Sequence, residues 1–222
     1  MSRETSSAAS PTVAAEPRES EHAEAPAAPD RSVALWIVCV SHTFNHLQGN
    51  IGNLLYPLMM TDLGFGYFQI GVLTTVYTLT ANGLQALSGM VTPYVRRSVL
   101  LGAGNSLLAL ATAATGFVHS YAQLIVTRVI GGIGTSPQHP VGSTLLVGLY
   151  PQARGRALAM HTLGGNAGTL AAPLLVAALV TFVDWRAVFV IVAIPSLRSA
   201  LSLTACWIET SPRPGEGRET SW

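Results

Sequence analysis

The residues able to do chemistry gather in apolar stretches of the chain. In the first stretch, Ser41, Asn45, Gln48 and Gly52 fall in one stripe at helical spacing, with His42, His46, Gly49 and Asn53 in the adjacent one. Phe44, Leu47, Ile51, Leu54 and Leu55 take the other side. In another stretch Arg128 precedes His139 and Pro140, and on an undistorted helix Arg128, Gly132, Ser136, His139 and Ser143 share a face. Imidazole titrates near neutral pH, so His42, His46 and His139 can exchange protons, while Arg128 can pair with them or hold an anion. No Asp or Glu lies within the apolar stretches, so proton transfer there falls to the histidines.

Polar groups in an apolar helix need partners or water, so half of the first stretch faces a protein interior or an aqueous cavity. Interhelical hydrogen bonds, of about 1 kcal/mol each, account for one or two such residues. A whole half-face fits a substrate path better. Gly71, Thr75, Thr78, Asn82, Gln85 and Gly89 form a further stripe. Its small members Gly71, Thr75 and Gly89 suit close helix packing; Asn82 and Gln85 suit either packing or a cavity wall. Pro137 and Pro140 break backbone hydrogen bonds and are expected to open their helix near the membrane midplane. His161 is expected to pack. Arg198 is a second charge inside an apolar stretch, with no partner readable from the sequence.

Gly164, Gly168 and Ala172 make a small-residue ridge followed by Pro173, a geometry for tight helix crossing. A dinucleotide-binding loop is excluded, since neither the preceding strand nor the fixed G-x-G-x-x-G spacing is present. An enzyme is not expected, because no nucleophile–base pair or metal-ligand cluster appears at workable spacing. No metal or other cofactor is expected either. Cys39 and Cys206 both sit in apolar runs and read as packing residues.

The elements that position these groups follow from composition. Of 222 residues, 49% are apolar and 10% charged, against about 25% charged in a soluble domain. Charge is concentrated in residues 1–31, an Ala-, Ser-, Pro- and Glu-rich segment expected to be a disordered cytoplasmic tail. Six apolar segments follow, at about 33–59, 67–91, 98–118, 122–149, 157–181 and 187–208. Each is long enough for a membrane-spanning helix and too long for a barrel strand. The expectation is an all-α membrane protein: a six-helix bundle over 32–208 within a lipid bilayer, then a cytoplasmic tail or the start of a loop at 209–222. Arg31, Arg96, Arg97, Arg154, Arg156, Arg213 and Arg218 fall on the N-terminal side and Arg186 on the other. Both termini are therefore expected in the cytoplasm. The net charge of +1 offers no footprint for nucleic acid.

Arg128-Val129-Ile130-Gly131-Gly132-Ile133-Gly134 resembles the R-x-x-x-G-x-G signature on helix 4 of the major facilitator superfamily. The Gly164/Gly168/Pro173 run resembles the helix 5 glycine-proline motif of its antiporter branch. Ser41-His42, Asn45, Tyr56-Pro57, Gln69-Ile70-Gly71, Gln85, His139-Pro140 and Gly164-Gly165-Asn166 resemble the fosmidomycin-resistance-like efflux proteins. The resemblance covers about 33–208 and implies one six-helix half of that fold. It also implies secondary transport in a bacterial-type inner membrane: proton-coupled efflux of a small, anionic or drug-like compound. His42, Asn45, His46, Gln48, Asn53, Asn82, Gln85, Arg128 and His139 are the expected substrate and proton pathway. In the helix 2–3 loop Gly89, Arg96 and Arg97 match the family pattern, but Pro93 stands where an Asp that latches the halves is expected. The family has twelve spans, so a homodimer or a missing C-terminal half is implied as partner. The alternatives are an organic-anion uptake carrier on the same fold and a truncated, transport-inactive scaffold.

Overall fold

Backbone amides in lipid have to be bonded within their own segment, and each apolar run answers that demand as helix. The computed structural model describes residues 31–205. Its elements are α1 (Arg31–Leu63), α2 (Tyr67–Gly83), α3 (Gln85–Val91), α4 (Arg97–Thr115), α5 (Tyr121–Thr135), α6 (Gln138–Leu149), α7 (Arg154–Leu179) and α8 (Trp185–Ala205). The expected tails, together with Cys206, Arg213 and Arg218, lie outside the described residues.

These eight helices form the six expected segments, two of which are interrupted. The segment at 67–91 divides into α2 and α3 after Gly83, a poor helix former. The segment at 122–149 divides into α5 and α6 around Ser136 and Pro137. This break is slighter than the proline pair suggested. The Ser136 amide turns back to the Ile133 carbonyl and the Val141 amide already bonds the Pro137 carbonyl. Pro140 lies in the first turn of α6, where a missing donor costs little. The segment kinks and does not open. The first helix runs past its expected end to Leu63 and takes in Asp62. The helices α4, α7 and α8 are each long and apolar enough to cross a membrane.

α1 is the central element, running along α7 and α8, while α4 packs on α8 and α5, and α2 on α5. Its apolar residues divide between two cores. Ala34, Leu35, Val38 and Cys39 join Leu101, Val141, Leu145, Leu146, Leu149 and Leu203. Leu47, Ile51, Leu55 and Met59 join Val176, Trp185, Val188, Phe189 and Val192. Between these cores, residues 41–46 place a polar layer inside the bundle, with Ser41, His42 and Asn45 all buried. Trp36, Leu79, Leu110, Leu163, Leu170, Leu174 and Ile194 point outward and are exposed. In water such a surface promotes aggregation; in a bilayer it faces a solvent as apolar as itself.

The expected small-residue ridge is a close crossing. A Cβ on Gly164 would stand 2.7 Å from the Cys39 carbonyl oxygen, and one on Gly168 would overlap the Thr43 carbonyl. Gly71 and Gly89 behave differently: a Cβ on either meets nothing within 4 Å. They line no tight crossing within this bundle, contrary to the packing role expected of them. Arg198 is exposed, not buried, because its position on α8 faces outward.

At the end of the bundle where α1 meets α2, Asp62 gathers a small polar cluster. It accepts from the Trp185 indole at 2.8 Å and pairs with Arg186 at 3.3 Å. Arg186 also donates to the Val118 carbonyl at 3.1 Å, tying three inter-helix connections together.

Candidate functional site

The polar layer has two parts, a buried hydrogen-bond network and an open cleft. In the network, Thr135 Oγ1 donates to Asn45 Oδ1 at 2.6 Å and Asn45 Nδ2 to Asn105 Oδ1 at 2.9 Å. Asn105 Nδ2 donates on to Gln138 Oε1 at 2.7 Å and to the Leu101 carbonyl at 2.9 Å. Asn45 therefore joins α1 to α4 and to the end of α5, as interhelical glue does. It serves the fold as well as lining the cleft.

The cleft has a volume of about 220 Å³ and lies between α1, α2, α3 and the α5–α6 break. His46, Asn50 and Asn53 come from α1, Thr74, Tyr77 and Asn82 from α2, Gln85 from α3 and His139 from α6. Six expected pathway residues thus meet at one site: Asn45, His46, Asn53, Asn82, Gln85 and His139. Asn82 accepts from Gln85 at 3.0 Å, so the two hold one another at the α2–α3 break.

His42, Gln48 and Arg128 do not line this cleft. Gln48 is buried at 2% exposure and its Oε1 has no partner. Arg128 is buried deeper toward the Val188–Val192 core. Its Nη2 donates to Thr115 Oγ1 at 3.1 Å, and its guanidinium lies 5.9 Å from the ring centres of both Tyr77 and Phe189. Gly52 makes room for it, since a Cβ there would overlap the Arg128 Nη1. Eleven residues of helical rise, about 16 Å, separate Arg128 from His139, and of the two only His139 lines the cleft. Tyr77 stands between Arg128 and the cleft, touching both.

The imidazoles converge. The ring of His42 lies 4.6 Å from that of His46 and 5.0 Å from that of His139, with 5.4 Å between His46 and His139. One nitrogen from each of these three lies within 4.8 Å of the others. The expectation that no metal-ligand cluster occurs at workable spacing is corrected here. His42 and His46 are one turn apart on α1, and the fold adds His139 from α6.

Several site residues escaped the sequence reading. His161, expected to pack, is buried with its ring stacked 3.9 Å from that of His42, and neither of its nitrogens has a partner. It precedes Gly164 by three residues on α7, and that spacing was the available sign that it faces α1. Asn105 is a single amide in an apolar run and carries no spacing signal that marks it. Tyr77 has no sequence signature, since an aromatic on a membrane helix suits lipid equally well.

Comparison with known proteins now decides the family. Residues 38–221 match the Major Facilitator Superfamily. The chain belongs to this superfamily. A solved bacterial homolog of the human lysosomal transporter Spinster, inward-facing and unoccupied, superposes with a TM-score of 0.73 at 20% identity. That match covers 88% of this chain and 46% of the other, which fits one half of the major facilitator fold. The probable L-galactonate transporter of Escherichia coli is 23% identical over 165 residues, 74% of this chain and 36% of that protein. A putative multidrug resistance protein MdtD from Yersinia enterocolitica is 28% identical over 158 residues, 71% and 34% respectively. The fosmidomycin resistance protein of Escherichia coli is 24% identical over 146 residues, 66% and 36%, in keeping with the resemblance read from the motifs. The chain spans about a third of the length of these relatives.

Within the superfamily half, the helix 4 signature falls on α5. A Cβ on Gly132 would stand 2.8 Å from Thr80 Cβ, so this glycine lets α5 meet α2. One on Gly134 would meet the Gly104 carbonyl at 2.7 Å, where α5 meets α4. The glycine-proline motif falls on α7, with Pro173 inside the helix. Pro93, which replaces the expected Asp, is exposed in the turn between α3 and α4 beside Arg96 and Arg97.

Proposed function

We propose that this chain is a six-helix unit of a secondary transporter that exports a small anionic or drug-like compound in exchange for protons. The observation that carries this reading is the cleft itself: amides, hydroxyls and imidazoles around about 220 Å³ of space, inside a bundle whose outer surface is apolar. Asn53, Asn82 and Gln85 are the proposed substrate contacts, with His46 and His139 the protonatable groups facing the same space. Export is supported by relatives named for multidrug and fosmidomycin resistance, and exchange for protons by the resemblance of the α7 motif to the antiporter branch and by the imidazoles on the cleft. A second six-helix bundle closes the cleft, and the two rock about the site. The arginines at 31, 96, 97, 154 and 156 support an inner-membrane orientation with both ends of the bundle cytoplasmic.

Everted membrane vesicles containing the chain, given an imposed pH gradient and a panel of labelled organic anions and hydrophobic drugs, test this. Accumulation that collapses when the gradient is dissipated, and falls severalfold in Asn82→Ala, is expected. Absence of flux for the whole panel, with folded protein in the membrane, overturns the transport reading in favour of an inactive scaffold. The relative named for L-galactonate favours a second reading, uptake of an organic anion on the same fold. Flux in the opposite direction through right-side-out vesicles identifies it.

A further inference from the structure

We propose that His42, His46 and His139 form a three-nitrogen site for a divalent transition-metal ion of the zinc class, at the inner wall of the cleft. The hydrogen bonds around the rings show which nitrogens are engaged. His42 Nδ1 lies 2.7 Å from the carbonyl oxygen of His161, which can only accept, so His42 carries its proton on Nδ1. Thr169 Oγ1 lies 3.1 Å from His46 Nδ1 and is also within reach of the Gly165 carbonyl, at 3.2 Å. Both rings are held through Nδ1, which leaves Nε2 over. Neither Nε2 has a hydrogen-bond partner, though both atoms are shielded from solvent and His42 is only 3% exposed. A ligating histidine is held this way, its far N–H donated to a carbonyl or hydroxyl that fixes the ring and raises its basicity.

The third ring comes from His139, in the first turn of α6 just past the Pro137 kink. The three candidate ligand atoms lie within 4.8 Å of one another. Tetrahedral coordination at ordinary zinc–nitrogen lengths brings such atoms to about 3.3 Å apart. His139 is exposed and His46 part-buried, so both can supply that closure by side-chain rotation. Imidazoles without thiolates select zinc, copper, nickel and iron over magnesium or calcium. Three protein ligands leave a coordination position, and the cleft shared by His46 and His139 is where it opens. Gly165 has a part in the arrangement: a Cβ there would stand 2.7 Å from His42 Cε1, so the glycine admits the ring between α1 and α7.

The test uses the full 222-residue chain in lipid nanodiscs, purified through a tag free of histidine and titrated with Co²⁺ and then Zn²⁺. The expected result is one ion per chain with micromolar or tighter affinity, visible Co²⁺ absorption bands that Zn²⁺ abolishes, and a rise in unfolding temperature with Zn²⁺. His139→Ala, at an exposed position that leaves the bundle intact, weakens binding by at least about 10- to 100-fold and abolishes the thermal shift. His46→Ala does the same, Gly165→Ala weakens binding by displacing the His42 ring, and His119→Ala, on a distant turn, changes nothing. Binding weaker than millimolar in the unaltered chain overturns the proposal. So does binding that survives both His139→Ala and His46→Ala. Neither outcome touches the flux assay, so the metal site and the transport reading fail separately.

Discussion

Asn45 and His46 are consecutive residues in the polar layer of one helix, and their surroundings have opposite characters. Around Asn45 the amides of Asn45 and Asn105 are engaged with each other, with Thr135 and with Gln138 Oε1, and only Gln138 Nε2, at the α6 edge, has no partner. Around His46 the bonds stop one atom short: Nδ1 of both His42 and His46 is taken, and Nε2 of both is left over. Burial alone does not distinguish the regions, since His42 and Asn45 are each 3% exposed. The difference is in the accounting of donors and acceptors. A network of engaged amides serves the fold, because opening it strands buried polar groups. A network left open beside a cleft holds capacity for something else to bind.

This contrast is sharpest for Asn45→Leu, which removes two hydrogen bonds and strands Asn105 Oδ1 and Thr135 Oγ1. A loss of about 2–3 kcal/mol is expected in unfolding experiments in nanodiscs; a loss under half of that makes the network incidental. His42→Phe comes next. It keeps the stack on His161 and drops the bond to the His161 carbonyl, for an expected cost of about 1 kcal/mol. A cost equal to that of Asn45→Leu erases the distinction drawn here. Asn82→Ala, on the cleft wall, is expected to change stability by at most about 0.5 kcal/mol while reducing transport severalfold. Flux and thermal unfolding on the same preparation separate the two effects. Asp62→Asn, at the far end of the bundle, has a small effect and reaches no transport residue. Its partner Arg186 is 30% exposed and Asp62 48%, so the ion pair contributes under about 1 kcal/mol, and the asparagine oxygen can still accept from Trp185. A larger fall in unfolding temperature would place the connection between helices, and not the polar layer, at the centre of stability.

Much of this was legible along the chain. Long apolar runs between charged or Gly/Pro punctuation fix where helices lie, because the bilayer forbids the alternatives. The stripe of Ser41, Asn45 and Gln48 marks the inward side of α1, and all three are buried. The Gly164–Gly168 ridge marks a close crossing, since only residues without bulk permit one. Where the expectation failed, the cause lies in partners remote along the chain. Gly71 and Gly89 carry the same spacing as a packing ridge, but no helix of this bundle approaches them. Arg128 and His139 were read onto one face, but they meet different partners: Arg128 meets Thr115 and Phe189 in the core, and His139 meets the cleft. His161 was readable as a ridge neighbour of Gly164, yet its stack on His42 joins residues 119 apart in sequence.

By itself, then, the sequence determined a six-segment helical membrane bundle with α1 as its polar spine, while its motifs carried the resemblance to the major facilitator superfamily. Composition and period suffice for the bundle, because they register the local contest between backbone, side chain and lipid. Only the tertiary structure decided which polar residues satisfy each other and which remain open. Asn45 finds Asn105 on α4, and His42 and His46 find His139 on α6, through packing between segments remote in the chain. Helical spacing assigns a residue to a face; it does not say what that face meets.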